Sequence, residues 1–370
     1  MSGGRETPAK TAGSRRARHL HTVYFAILAW NRAQPRHVQL VGAIMAAFAF
    51  VVLSLALEIG VSPIVPGAEV SIVLGFNIGL LLALAVGSYL ITQCILVMLG
   101  KGKRSRGVIL ADLANDMILL ALMVTIAYLH FNLKMWIPLI NPALYDAEFM
   151  ALDEHLRGIV DAFTWIGTTL HSAVSDEVRW YQFGFILMFI IAFCRFSAAR
   201  NAYYPRFVVS ISLMMSLGAL SYLIAPALGP FIYEDGIDLL ATQSQENMRD
   251  GYREVRAVGF AWIESVGSEY FTAGLAAMPS LHVANASVMT YYMLRSRDYL
   301  APFFVFLWFW ILFDSVALRW HYIVDAPAGI LLAALVIWLT GRLLRGASPE
   351  HAASAEAPAL AAAGYSASRA

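Results

Sequence analysis

MPSLHV, residues 278–283, decides how this chain is read. A proline, a serine and a histidine stand where a long polar stretch gives way to an apolar run of membrane type. WHYIVD, residues 320–325, repeats the arrangement, with His321 at a similar border and Asp325 four residues later. An ionisable group beside hydrocarbon is costly, and by default it marks a functional site. The question is whether the two histidines meet.

The surrounding composition answers in terms of a membrane. The chain has 370 residues, of which 59% are hydrophobic and 14% charged, with mean hydropathy +0.64. Soluble domains carry about 25% charged residues, so these values imply a polytopic membrane protein. A net charge of +1 supplies no basic field for nucleic acid. Cys94 and Cys194 lie in or at the end of apolar runs without CxxC spacing, and read as packing residues. Residues 1–37 form a basic tail whose apolar stretch 23–30 is too short to span and has no small-residue cleavage site. It reads as interfacial, not as a signal peptide. The Ala/Ser-rich residues 346–370 read as a disordered cytoplasmic tail.

A helix needs about 20 apolar residues to cross a bilayer. Eight segments qualify, at 38–58, 70–99, 107–130, 178–197, 206–226, 279–296, 300–320 and 322–343, the second interruptible at Gly75 or Asn77. The expected fold is therefore all-α, a polytopic bundle of about eight spans and one membrane domain, without an internal repeat. Lys and Arg collect in cytoplasmic loops. Arg15, Arg16 and Arg18, the KGKRSR loop (101–106), Arg195, Arg200 and Arg206, Arg295 and Arg297, and Arg342 and Arg345 fall on one side if both termini are cytoplasmic. The other side holds 131–177 and 227–278. Within the first, Tyr145, Phe149, Leu152 and Leu156 share a helical face opposite Asp146, Asp153, Glu154 and Arg157, which reads as an amphipathic helix on the outer surface.

In that topology one span in, a tight loop and one span out separate His282 from His321, so both reach one outer pocket. Asp325 is one helical turn from His321 and can hold its second ring nitrogen. Pro279 suits a helix start. Ser280 reads either as an N-cap or as a ligand for phosphoryl oxygens, and a helix N-terminus attracts anions. The constellation describes phosphoryl transfer better than a metal centre, since the chain has neither HExxH nor the DGxxAR…GxxxDxxxD pattern of metal-dependent CDP-alcohol transferases. Asp112 and Asp116 read as helix-pairing groups on the cytoplasmic half.

PSLH (279–282) with HYIVD (321–325) resembles the second and third signature motifs of the type-2 phosphatidic acid phosphatase (PAP2) superfamily. AAMPSLH, YLIAPALGP (222–230) and YDxxFMxLDxHLxG (145–158) resemble its inositol phosphorylceramide synthase (Aur1-like) branch. The resemblance covers about 107–343, implying a six-helix catalytic core over 107–345 with two additional helices in 38–106. It implies a metal-independent, cofactor-free reaction on a membrane lipid at the periplasmic or lumenal side. His321 would be the nucleophile, Asp325 its orienter and His282 the general acid and base, with Ser280 and arginines on the phosphoryl oxygens.

The chain departs from the pattern in the phosphate cradle. The first motif, KxxxxxxRP, is matched only by the spacing of Arg249 and Arg256, with Ala257 for proline; the same stretch reads equally as a solvated amphipathic helix. The SR pair ahead of the third-motif histidine is replaced by Asp314 and Ser315, which leaves Arg319 as the nearest arginine, readable also as a snorkelling residue. Transfer of a phospho-headgroup and hydrolysis of a lipid phosphate differ only in the second acceptor. A transporter without chemistry would want polar groups deep in the spans, whereas here they gather at one rim. A scaffold would leave the paired histidines unexplained.

Overall fold

A computed structural model describes residues 34–67, 71–73, 76–99, 106–172, 180–233, 243–271 and 278–345. The basic tail, the interfacial segment 23–30 and the C-terminal tail lie outside the described residues. The elements are helices α1 (Arg36–Ile59), α2 (Ile78–Met98), α3 (Arg106–Ile140), α4 (Asp146–His155), α5 (Arg157–Ser172), α6 (Trp180–Ala199), α7 (Tyr203–Ser221), α8 (Pro230–Tyr233), α9 (Gln243–Val258), α10 (Phe260–Val266), α11 (Leu281–Arg295), α12 (Ala301–Ala317) and α13 (Asp325–Leu343). A short antiparallel ribbon pairs β1 (Ser71–Val73) with β2 (Phe76–Asn77). Apart from this ribbon the described fold is helical throughout, a polytopic bundle.

Six helices are long and apolar enough to cross a membrane: α1, α2, α3, α6, α7 and α13. The other two expected spans are helical but short. α11 has 15 residues and α12 has 17, or about 22 and 26 Å at 1.5 Å per residue, less than the ~30 Å hydrocarbon core. The helical turns they lack are those that the chain spends on 278–280 and 318–324, the two motif segments. The second expected span also begins late, because the ribbon occupies its first residues. α3 runs ten residues past its expected end, since Leu133, Met135, Trp136 and Ile137 continue its buried faces.

α7 is the central strut, with Phe207, Val208, Val209, Ile211 and Met214 buried, and it packs on α1, α3, α11 and α13. Small hydroxyls serve as polar glue within apolar surroundings. Ser210 bonds both Tyr292 Oη and Thr340 Oγ1 at 2.9 Å, tying α7 to α11 and α13.

The end of the bundle away from the motifs is fastened by one carboxylate. Asp116 of α3 accepts from Tyr89 Oη of α2 and Tyr204 Oη of α7, each at 2.5 Å, and from both terminal nitrogens of Arg200. Asp112 lies 3.9 Å from the same guanidinium. Asp116 is thus a helix-pairing group joining three helices, with both carboxylate oxygens engaged by protein donors.

The amphipathic helix at 146–155 is oriented differently from the sequence expectation. Asp146 and Asp153 are fully buried, while Tyr145, Leu152 and Leu156 are exposed. The apolar stripe faces outward and the two carboxylates face the protein, because backbone amides and a guanidinium inside require acceptors. Removing one partner from a buried charge network costs about 3–5 kcal/mol. Asp116→Ala should therefore lower the detergent melting temperature markedly, measured by thermal unfolding, while leaving substrate KM unchanged in protein that remains folded.

Candidate active site

The site is assembled at two helix boundaries. At the first, Pro279 and Ser280 lead into α11, and Ser280 Oγ accepts from the Val283 amide at 3.4 Å as an N-cap. His282 follows in the first helical turn. Its ring lies against Tyr181 (4.8 Å between centroids) and Phe185 (4.5 Å) of α6.

At the second boundary, α12 stops at Ala317 and the chain turns through Arg319, whose φ is +54°. That left-handed position after a helix is usually a glycine's. The turn is supported from three sides: Gln245 Nε2 of α9 donates to Leu318 O (2.7 Å), the Phe231 amide of α8 to Arg319 O (3.1 Å), and the His321 amide to Ser315 O (2.9 Å). His321 is therefore held by its backbone before its side chain does anything.

The imidazole is held as well. His321 Nδ1 lies 3.1 Å from Asp325 Oδ2, and the same oxygen accepts from the Tyr322 amide at 3.0 Å. The geometry differs in one respect from a one-helix i, i+4 pair: Asp325 opens α13, and His321 sits in the preceding turn. With an ionised Asp325 as acceptor, Nδ1 carries the proton and Nε2 keeps its lone pair. The His282 and His321 ring centroids are 6.2 Å apart at 63°, so the two histidines share one site.

The two boundaries are fused through the backbone. The Ser280 amide donates to Asp325 O at 3.1 Å. Gly329, one turn into α13, makes this approach possible, since a Cβ there would stand 2.5 Å from Ser280 O.

Lys134, which the sequence reading passed over, stands at this site too. Its ammonium lies 4.9 Å from the Tyr222 ring centroid, and its charge acts on both His282 and His130. His130 Nδ1 bonds Met215 O at 2.9 Å one turn earlier on α3. The signal was present in the sequence. KMWIPLINP (134–142) has the KxxxxxxRP spacing, with Asn141 for arginine.

The arginines expected in the cradle are dispersed around the site. Arg319 Nη1 is 3.4 Å from Asp153 Oδ2, both side chains being buried. Arg249 lies over the Phe231 ring at 5.8 Å, and Arg256 donates to Pro138 O at 3.1 Å. α9 thus covers the outer layer, reaching Leu318 with Gln245 and the end of α3 with Arg256.

Asp146 and Asp153 complete the surroundings. Asp146 accepts from the Leu228 and Gly229 amides at 3.0 Å and from Tyr322 Oη at 2.7 Å. Asp153 accepts from the Ile323 amide at 2.9 Å. Burial pushes both carboxyls above the usual carboxylate range, and the hydrogen bonds they accept oppose that rise. Among the described residues no group of three or more His, Cys, Asp or Glu converges as a metal site.

Long apolar helices that bring His282, His321 and Asp325 together are those of an integral membrane protein. A family model described as the PAP2 superfamily matches residues 147–339, more than half of the chain, and the chain belongs to that superfamily of lipid phosphatases and phosphotransferases. The KMWIPLINP stretch lies upstream of the matched residues. No curated protein and no solved structure matches the chain.

Overpacking a close approach costs about 1–3 kcal/mol, and small misplacements of reacting groups can cost ~10²-fold in rate. Gly329→Ala should therefore reduce turnover at least tenfold in an assay of the folded protein, with only a modest loss in melting temperature.

Proposed function

We propose that the protein is an integral membrane lipid phosphotransferase. It moves a phospho-headgroup, of inositol-phosphate type, onto a lipid or polyol hydroxyl through a phosphohistidine. The observation that carries the reading is the His321 ring, with Nδ1 engaged by buried Asp325 and the second imidazole of His282 beside it.

In the first step Nε2 of His321 attacks phosphorus and the bond from phosphorus to the leaving oxygen breaks. Protonated His282 gives that oxygen its proton. In the second step neutral His282 takes the proton from the acceptor hydroxyl, whose oxygen attacks phosphorus as the P–N bond breaks. Asp325 holds the Nδ1 proton and offsets positive charge on the ring, as an orienting carboxylate does. Ser280, Arg319 and Lys134 hold the phosphoryl oxygens, with Arg249 and Arg256 from the covering helix α9. Stabilising transition-state charge with preorganised donors is usually the largest catalytic term.

Two features support transfer over hydrolysis. His321 is 5% exposed, and His282 is walled by aromatic rings, so water has poor access to the phosphorylated intermediate. The Aur1-like sequence patterns point the same way. The active site faces the periplasm or lumen, opposite the arginine-rich loops, with both termini cytoplasmic.

Purified protein in detergent, given labelled phospholipids with ceramide, diacylglycerol or prenyl phosphates, should yield a new labelled lipid. Free phosphate as the sole product would make it a phosphatase instead. His321→Ala should abolish turnover in folded protein. Asp325→Asn should lower kcat by about 10²–10⁴-fold through loss of the correct tautomer. Activity should persist in a strong chelator and be inhibited by vanadate, which adopts pentacoordinate geometry. Lys134→Ala should raise KM or lower kcat at least tenfold.

A further inference from the structure

α4 presents two carboxylates to the protein interior, although its sequence is that of a surface helix. They stand seven residues apart on one face, and both are bound to the segment that carries His321. Asp146 takes Tyr322 Oη, while Asp153 takes the Ile323 amide and the Arg319 guanidinium. A carboxylate buried this fully is expensive unless its partners are strong. Asp146 can be accounted for by the fold, since it also closes the turn at Leu228 and Gly229.

Asp153 is different, because its side-chain partner is Arg319. That residue sits in a left-handed conformation that costs about 1–2 kcal/mol for a residue with a Cβ. A glycine would serve the turn better, so the arginine is present for its side chain. The guanidinium has five N–H donors in a fixed fork. Engaging one edge with a carboxylate fixes the direction of the others.

We infer that Asp153 is a positioning residue: it aims the Arg319 guanidinium at the phosphoryl oxygens and, through the Ile323 amide, sets the height of the turn bearing His321. This inference rests on the phosphohistidine reading above. The reaction gains a carboxylate–arginine–phosphate relay alongside the Asp325–His321 pair, with α4 supplying the outer member.

Asp153→Asn keeps an acceptor for the Ile323 amide and removes the charge facing Arg319. The expected result is a kcat at least tenfold lower and vanadate inhibition weakened by a similar factor, with KM for the lipid changed less than threefold. Arg319→Lys should weaken vanadate comparably, and the double variant should be no worse than the more impaired single one. Asp153→Glu, which restores the charge, should recover part of the vanadate affinity. A folded Asp153→Asn protein with wild-type kcat and vanadate affinity overturns the inference. So does full additivity in the double variant, and so does failure of both Asp153 variants to fold, which would assign the carboxylate to the fold alone. Wild-type protein that neither turns lipid over nor binds vanadate would sink the parent reading first, and this inference with it. Increased hydrogen exchange across 319–323 in Asp153→Ala, with none in α11, is the expected structural signature; unchanged exchange counts against the clamp.

Discussion

Among the described residues a single backbone hydrogen bond, from the Ser280 amide to the Asp325 carbonyl, joins the two segments that carry His282 and His321. Each segment is the end of a membrane-type helix, and a helix end exposes backbone groups that hydrocarbon cannot satisfy. By closing one end against the other, the chain satisfies part of both and fixes their separation. Gly329 is the local condition for this contact, since any side chain there would meet the Ser280 carbonyl. The registry of His282 and His321 therefore follows from helix packing, and the side chains inherit it.

Further polar groups of these helix ends are satisfied by α4, α8 and α9. α8 and α9 supply Phe231 and Gln245 to the turn after α12, and α4 supplies its two carboxylates. These helices thus gather at the same end of the bundle as the two histidines, and their contact with the long apolar helices is polar and directional. At the opposite end Asp116 performs the same task with tyrosines and an arginine, but with every oxygen already engaged by protein. The contrast is physical: Asp116 closes its surroundings, whereas Asp325 keeps one buried oxygen without a partner among the described residues, next to the histidine it bonds.

Much of this was legible in the sequence. Hydropathy located the six helices long enough to cross a membrane and the two shorter ones, α11 and α12, and the border positions of His282 and His321 were enough to bring them to one level. The His321–Asp325 spacing gave their contact, although the turn that makes it was read as helix, because periodicity alone does not register an arginine in a left-handed turn. The outer layer was harder. Asp146 and Asp153 alternate correctly for a solvated face, and only the unsatisfied amides at Leu228, Gly229 and Ile323, which lie far away in sequence, turn that face inward. Lys134 was obscured for a related reason. A charge six residues short of the end of α3 looked like loop, since the hydropathy of 130–134 falls although His130, Asn132 and Leu133 are buried. Its KxxxxxxNP context was visible but lacked the expected arginine.

The left-handed turn at Arg319 carries a warning for anyone seeking a more robust variant. Screens for heat tolerance favour substitutions that relax the backbone, and glycine is the usual choice at such a turn. Here Arg319→Gly would recover about 1–2 kcal/mol of backbone strain but strand the buried Asp153 carboxylate without its guanidinium, a loss of about 3–5 kcal/mol. The side chain outweighs the backbone at this position, so a rule that inserts glycine wherever φ is positive would unfold what it was meant to strengthen.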